Sequence, residues 1–334
     1  VKKVNLFALL ITLCGDFQQT YAKASAIFTN PVAISAIEEL KQLYDLLEKE
    51  GRLVKNVKIR LDFSIVNDAD YYSGLLFQGF VKKVNQAVLF GGRYDYLLQK
   101  QDKAQGGIGF GMYLNNLGRS VEVPEETDDY LCFALPKGRM ANSVYQLLVN
   151  ANLASANIFE DNRKLIFVDE KKKLKFFLVK PSDVAIYVEH GVADIGVIGK
   201  DVLDETEPNV LELLDLGMGK CKMAVAAHKD FKQDNTRTLR VATKYANTTR
   251  KYFSRLGQSV ELIQLHGSIE LAPLLNLSDV IVDIVETGTT LRENDLTVIQ
   301  DIAPSSARLV VNHSTWRFKE ETIQNLLEKV KEQL

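Results

Sequence analysis

The sequence predicts an alternating α/β fold over its larger, second part, preceded by a smaller α+β part built on short antiparallel strands. Three observations lead there. The chain has 334 residues, and at roughly 150 residues per domain that length accommodates two cores. Apolar patterning breaks across Gly118 to Asp129 (GRSVEVPEETDD), a polar, acidic, proline-bearing stretch that reads as a linker. Ahead of it short strand-like runs follow one another, and beyond it strands alternate with helices. A hydrophobic content of 46% with 25% charged residues excludes disordered and collagen-like classes. Lysine and arginine number 41 against 43 aspartates and glutamates, a net charge of -2, which argues against a broad nucleic-acid surface but leaves room for local basic pockets.

In the first part, Val1 to Gly15 places two lysines before an apolar run that ends at Cys14 and so imitates a lipoprotein signal. Leu13 stands where a cleavage site wants a small residue and Asp16 follows at once, so a buried amphipathic segment is the better reading. No stretch reaches the ~18 apolar residues of a membrane span. Val32, Ile34, Ile37, Leu40, Leu43, Leu46 and Leu47 recur at helical spacing, predicting a helix over Val32 to Lys49. After Gly51 the runs Val57 to Phe63, Gly74 to Val81 and Gln86 to Leu89 read as strands of one antiparallel meander.

In the second part the order is strand Leu131 to Leu135, helix Asn142 to Asn152, strands near Leu165 and Phe176, helix Ser182 to His190, and strand Ile195 to Ile198. Then come strands Met223 to Ala227 and Arg240 to Thr243, helix Asn247 to Leu256, strand Val260 to Gln264, helix Ile269 to Leu275, and strands Val280 to Val285 and Ala307 to Asn312. Lys319 to Leu334 carries Ile323, Leu326, Leu327 and Val330 on one face and closes the chain as a helix.

The most informative run is Asp279 to Asp295 (DVIVDIVETGTTLREND): an apolar strand, then Glu286, Thr287, Gly288, Thr289 and Thr290, then a helix start. Backbone N–H groups of such a loop cradle a phosphate, Thr hydroxyls add donors, and glycine lets the backbone come close. Asp283 and Glu286 would repel a phosphate unless they serve sugar hydroxyls or a metal, so phosphate beside a diol points to ribose 5-phosphate. The plain alternative is a strand followed by a Thr-capped helix. Cys14, Cys132 and Cys221 form no CxxC pair, and His190, His228, His266 and His313 are scattered, so no residue is assigned as a metal ligand and the chain reads as reduced and cytoplasmic.

This loop resembles the phosphoribosyl-diphosphate loop of the ATP phosphoribosyltransferase family, and further runs resemble that family in the same order. Leu135 to Arg139 (LPKGR) is similar to its first strand-turn, which places Lys137 and Arg139 toward the substrates. Arg163 (DNRKL) stands where the family puts an arginine on the diphosphate, and Lys180 (KPSD) where many members carry arginine; lysine supplies charge there without a bidentate fork. Ser182 to Leu203, with Gly191 and Asp194 in its tight turn, together with Asp215 to Gly219 (DLGMG) and Ala242 to Tyr245 (ATKY), resemble segments about the ATP pocket. Asp215 and Tyr245 are thereby implied on ATP, Tyr245 against adenine or else as a half-buried hinge aromatic. Gly267 to Pro273 (GSIELAP) brings Glu270 as a substrate-side carboxylate.

The resemblance implies a two-lobed, periplasmic-binding-protein-like catalytic part over residues 130–334, a junction at 121–129, and a preceding α+β fragment over 1–120. That fragment's Asp70, Tyr71, Tyr72 (DYY), Phe90 to Asp95 (FGGRYD) and Gly106 to Met112 (GGIGFGM) resemble, in order, the histidine-binding half of histidyl-tRNA synthetase, a class II antiparallel-sheet domain. The same pattern is carried by the regulatory subunit of short-form members. Tyr71, Tyr72, Arg93 and Tyr94 are the implied histidine contacts, and the plain alternative is a Gly-rich sheet with packed aromatics. Asn67, Asn115 and Asn116 replace arginines of the synthetase, which removes aminoacylation. Only the later half of that domain is covered, a poor fold alone, so the chain reads as a fusion, natural or engineered, or as two subunits numbered together. Its ending at the last helix implies the short form, which depends on a separate regulatory subunit in a hetero-oligomer.

The family reaction transfers phosphoribosyl from 5-phosphoribosyl 1-diphosphate to N1 of ATP with inversion, releasing diphosphate with Mg2+, under inhibition by histidine. It needs no nucleophilic side chain, only the positioning of two anions. The alternative function is a two-lobed ligand-binding or histidine-sensing module without catalysis; a tRNA-directed enzyme is disfavoured by the charge balance.

Overall fold

The structure is a computed structural model that describes residues 13–53, 57–63, 65, 72–82, 84, 86–99, 106–121, 130–159, 164–234 and 236–334. The chain separates into two compact units, one of residues 1–79 and 87–114, the other of residues 80–86 and 115–334.

In the first unit, β1 (Cys14–Asp16) leads into α1 (Phe17–Ile27), whose first amides are capped by the Asp16 carboxylate. Asn30 caps α2 (Pro31–Lys49), and Pro31, which lacks an N–H to satisfy, suits its first turn. The helix expected from the apolar spacing is present, yet of its stripe only Ile37 is buried, while Val32 is 79% and Leu46 55% exposed.

The meander differs from expectation. The 57–63 run forms β2 (Arg60–Asp62), which pairs with β1 in a separate two-stranded ribbon. The three-stranded antiparallel sheet is β3 (Leu76–Gly79), β4 (Leu89–Arg93) and β5 (Ile108–Met112). Its strands β4 and β5 run through the glycines of FGGRYD and GGIGFGM. A Cβ at Gly91 would lie 2.4 Å from the Gly109 carbonyl, and one at Gly92 2.6 Å from that of Leu75, so these glycines permit close approach within the sheet. Helix α3 (Asp95–Gln99) follows β4, and α4 (Leu114–Val121), which follows β5, belongs from Asn115 onward to the second unit.

The second unit holds two sheets. The first is ordered β10-β16-β9-β6-β8-β7, from β6 (Leu131–Pro136), β7 (Ile166–Asp169), β8 (Leu174–Val179), β9 (Ile195–Gly199), β10 (Leu211–Asp215) and β16 (Ala307–Val311). The second is ordered β13-β12-β14-β11-β15, from β11 (Cys221–His228), β12 (Leu239–Thr243), β13 (Val260–Gln264), β14 (Val280–Val285) and β15 (Leu296–Ser305). The chain passes between the sheets twice, from β10 to β11 and from β15 to β16, which makes two lobes joined by a double crossing. In the first lobe β6 runs parallel to β8 and β9; in the second β12 runs parallel to β13 and β14.

Helices α5 (Arg139–Asn150), α6 (Val184–Glu189) and α7 (Lys200–Thr206) belong to the first lobe, α8 (Ala246–Arg255), α9 (Leu271–Leu274) and α10 (Thr289–Glu293) to the second. The closing helices α11 (His313–Phe318) and α12 (Glu320–Lys331) return to the first lobe. There Val144 and Leu148 of α5 and Ile323 and Val330 of α12 bury against Phe133, Phe176 and Leu309 of the sheet. On the other face α6 contributes Val184 and Val188, packed with Ala134 and Val310. The second lobe buries Val241, Val280, Val282 and Phe253 on one side and Ala224, Ile269, Ile281 and Leu291 on the other.

Phe176 has no solvent exposure and stands 5.5 Å, ring to ring, from Phe133. Phe176→Ala is expected to cost about 3–5 kcal/mol, the range for deleting a buried aromatic. Equilibrium denaturation checks it; a loss under about 1 kcal/mol would show the first lobe relaxing around the void.

Candidate functional site

Parallel strands release their carboxyl ends on one edge of a sheet, and there both lobes carry their charged groups. In the second lobe β14 delivers Asp283, largely buried, then Glu286 and the Thr287–Thr290 loop into α10. Gly288 sits at φ 70°, a left-handed conformation that costs glycine nothing. The Thr287 and Thr289 hydroxyls lie 3.0 Å apart, and Arg292 fixes the loop by donating to the Thr287 carbonyl at 3.0 Å and to Thr289 Oγ1 at 3.1 Å. Arg292 was not among the expected site residues, although its place one turn beyond the loop was legible.

Lys244 is a second addition. It follows β12, the strand beside β14, and its Nζ lies 3.9 Å from Asp283 Oδ1 and 4.8 Å from the Tyr245 ring centroid. Burial pushes the Asp283 carboxyl up, Lys244 opposes that shift, and Glu270 and Asp201 reinforce it. Glu270, at the start of α9, therefore does lie within electrostatic reach of Asp283. The Cys221 thiol, also raised by burial, feels Asp201, Glu286 and Lys244, so residues of both lobes converge here.

In the first lobe the edge is formed by the ends of β6 and β8. Lys137 follows β6 and donates its backbone N–H to the Val179 carbonyl at 2.8 Å, and Lys180 follows β8 directly, so the two lysines share one edge. Gly138, at φ 101°, turns the chain into α5, which begins with the exposed Arg139. Arg163 lies outside the described residues.

Gly191 and Asp194 are not brought to this edge. They precede β9, which runs parallel to β6, and so occupy the opposite, amino edge, about 15 Å away for a five-residue strand. Gly191, at φ 67°, ends α6. The Asp194 carboxylate accepts from the Cys132 amide at 2.9 Å, from Thr315 Oγ1 at 2.7 Å and from Lys319 Nζ at 3.3 Å, which ties the starts of β6, α11 and α12 together. At these two positions the signature resembling the ATP pocket forms a turn pinned by Asp194.

Asp215 lies where the chain crosses between lobes. It accepts from the Gly217 amide at 2.9 Å and Ser306 Oγ at 2.7 Å and pairs with Arg308, and those donors hold its carboxyl below the usual range. Tyr245 is 4% exposed, and its hydroxyl donates to Asp201 Oδ2 of the first lobe at 2.8 Å. Its geometry is that of the buried hinge aromatic rather than an open stacking surface for adenine; burial pushes its hydroxyl pKa far up.

In the first unit Tyr71, with Asp70 and Asn67, lies outside the described residues. Tyr72 packs edge-on against Phe90, with centroids 5.6 Å apart. Arg93 pairs with Asp95 at 2.5 Å and Glu39 at 2.9 Å, and the Tyr94 hydroxyl lies against Gly109. Arg93 is thus already engaged by two carboxylates of its own unit.

Residues 180–332 match the family described as ATP phosphoribosyltransferase, and residues 2–117 match histidyl-tRNA synthetase. An ATP phosphoribosyltransferase of Brachyspira hyodysenteriae is 54% identical over 202 residues, 60% of this chain and 98% of that protein. One from Clostridioides difficile is 50% identical over 202 residues, again 60% of this chain and 96% of the relative. Among solved structures, an ATP phosphoribosyl transferase (HisG:HisZ) complex from Thermotoga maritima aligns with a TM-score of 0.53 at 38% identity, over 61% of this chain and 98% of that one.

Removing the Asp194 pin orphans a backbone donor and a hydroxyl at once. Asp194→Ala is expected to lower stability by about 2–4 kcal/mol in denaturant unfolding. Unchanged stability with a selective loss of ATP affinity would return Asp194 to the substrate site.

Proposed function

The chain belongs to the ATP phosphoribosyltransferase family, and from that premise we propose how its residues divide the work. The reaction moves the phosphoribosyl group of 5-phosphoribosyl 1-diphosphate to N1 of ATP and releases diphosphate, the first step of histidine biosynthesis. The N1 lone pair forms the new bond to the anomeric carbon while the bond to diphosphate breaks, its electron pair leaving on the diphosphate oxygen.

The observation that carries the residue assignment is the paired-hydroxyl loop next to a buried carboxylate. Thr287, Gly288, Thr289 and Thr290 receive the 5-phosphate through loop amides and hydroxyls, with Arg292 holding their shape. Asp283 and Glu286 accept from the ribose hydroxyls, with Glu270 as a further acceptor on that side. Lys137, Arg139 and Lys180, from the first lobe, face the polyphosphates, and Arg163 is assigned the same role. Charge that develops on departing diphosphate is stabilised more than the ground state when such cations are fixed in place. Asp215 and Tyr245 act at the crossing between lobes rather than on the base.

Magnesium is assigned as the metal. Mg2+ is ordinarily held by one or two carboxylates together with substrate phosphates. Among the described residues no group of three or more His, Cys, Asp or Glu side chains could hold a metal by itself, and the Asp283 and Glu286 carboxylates, assigned to the ribose hydroxyls or their metal, would hold the ion together with diphosphate. When bound, the ion supplies neutralisation of the leaving group.

Residues 1–120 are assigned to histidine feedback, with Tyr71, Tyr72, Arg93 and Tyr94 as the contacts, and residues 121–129 as the junction to the catalytic part, 130–334. The Thermotoga maritima relative is a HisG:HisZ complex of two components, which supports a hetero-oligomer of catalytic and regulatory subunits here. No helix among the described residues is long and apolar enough to cross a membrane. The reaction is assigned to the cytoplasm on the three free cysteines, Cys14, Cys132 and Cys221, which suit a reducing compartment.

The test is the ultraviolet absorbance of phosphoribosyl-ATP formed by the purified chain from both substrates and Mg2+, with and without histidine. Turnover is expected, with Arg139→Ala losing about 100-fold in kcat/KM, near 2.7 kcal/mol of transition-state stabilisation. Arg139→Ala at full activity would remove that residue from the scheme. Suppression by histidine supports the regulatory assignment, and indifference to it sinks that assignment alone.

The Asp283 shift gives a pH prediction with two signs. Folding favours its protonated form, so its contribution to stability grows as pH falls and is lost as pH rises through the raised folded value. Substrate binding runs the other way, since hydroxyl donors need the carboxylate. KM for phosphoribosyl diphosphate is expected to climb on acidification at a pH above the ordinary carboxylate range. Asp283→Asn should raise KM and flatten that profile; an unaltered profile would assign the inflection to another group.

A further inference from the structure

Helix α8 opens the second lobe's packing against the first, and it has no side-chain cap of its own: Tyr245 occupies its N-cap position, where its carbonyl accepts from Thr249 but its side chain caps no amide. Uncapped, its first amides would be orphan donors. The cap comes from the other lobe. Glu205, near the end of α7, accepts from the Asn247 amide at 3.0 Å with Oε1, and from the Thr248 amide at 2.9 Å and Thr248 Oγ1 at 3.0 Å with Oε2. Its carbonyl accepts from Asn247 Nδ2 at 2.9 Å. One turn along, Lys251 of α8 pairs with Glu207. At the inner end of α7, Asp201 accepts from Tyr245 and from Ser305 Oγ, the latter at 3.1 Å on the returning strand.

We propose that Glu205 is a positioning residue for the transfer reaction: by capping α8 from the opposite lobe it sets the angle at which the phosphate-loop edge meets the Lys137–Arg139 edge. Helix α8 follows directly from Lys244 and Tyr245 at the end of β12, so the cap bears on the strand-end that faces Asp283. The two peptide crossings fix the lobes at the hinge only. The carboxylate engages the helix at the far end of α7, where a small rotation is magnified. A charged cap at a helix N-terminus also gains from the helix dipole, which favours this arrangement over a water-filled gap.

The kinetic consequence follows from population. If only the capped arrangement takes both substrates, apparent affinity falls by the fraction of molecules that leave it. The transfer brings both substrates together between the two edges, so both KM values should rise together while kcat at saturation holds.

The experiment measures kcat and both KM values for Glu205→Ala and Glu205→Gln in the full chain, at a temperature well below each variant's melting midpoint. Amide hydrogen exchange is followed in parallel, and that readout needs no turnover. Glu205→Ala is expected to raise KM for ATP and for phosphoribosyl diphosphate by a similar factor, about 5–20-fold, with kcat within twofold. Glu205→Gln, which keeps one acceptor, should recover part of it. Exchange should quicken at residues 247 and 248 and also in the crossings at 215–221 and 305–307. Quicker exchange at 247 and 248 alone, with KM values within twofold of the parent, would overturn the proposal and leave a local cap. A rise in one KM only would overturn it as well. The proposal rests on the reaction assigned above for its kinetic arm: a parent chain with no turnover would sink that assignment, while exchange in the crossings would still decide the cap. Thr248→Val, which deletes a single donor, gives the same comparison at smaller amplitude if Glu205→Ala does not fold.

Discussion

Parallel pairing is the constraint on which the site depends. A parallel strand ends on the same edge as its neighbour, so every loop that leaves β6, β8 and β9, or β12, β13 and β14, emerges on one side of its sheet. The Tyr245–Asp201 hydrogen bond shows that the two carboxyl edges meet. Lys137, Arg139 and Lys180 approach from one sheet, and Lys244, Asp283 and the threonine loop from the other. A change of one strand's direction would send its loop, and its charge, to the wrong side of the molecule.

That edge carries charge of both signs, and each has its own support. Asp283 is largely buried, a costly place for a carboxylate, with a lysine 3.9 Å away that reduces the cost without forming a close pair. A fully satisfied pair would leave little for a substrate to gain. Asp194, by contrast, receives a backbone amide, a hydroxyl and an ammonium, and that saturation marks it as structural. The degree of satisfaction separates the two aspartates where residue type cannot.

The parts of the fold that were legible in the sequence are those with an unambiguous period. β13 and β14 fall on their expected residues, and the strand-to-loop step into Thr287–Thr290 appears where the apolar run stops at a glycine-bearing loop. α7, β10 and β15 were not foreseen. LELLD in β10 has the composition of a helix, and β15 is an edge strand with exposed residues and Pro304, so its alternation is weak. In the first unit β4 and β5 are the Gly-rich sheet given as the plain alternative, although their bounds were not placed, because close backbone approach leaves no trace in a single sequence. Among site residues, Gly191 and Asp194 stand at the amino edge for a related reason: a motif's resemblance records that residues are used together, and the strand direction decides at which edge.

Lys244, Arg292 and Glu205 were missed because each acts through a neighbour from another element. Their partners lie 39, 5 and 42 positions away in the chain, at Asp283, Thr287 and Asn247. Arg292 alone lay within reach of local spacing. The lobes share two covalent crossings, the Tyr245–Asp201 hydrogen bond, the Lys251–Glu207 pair and a helix cap, and both substrates must be held between the two edges at once. A binding protein with this topology needs only that its lobes close; a transferase must also bring N1 of one substrate onto the anomeric carbon of the other, where an error on the order of 1 Å costs about 100-fold. The carboxylate at the end of α7 adds to these ties by holding one half-buried charge against α8, and the dipole of that helix offsets the desolvation locally.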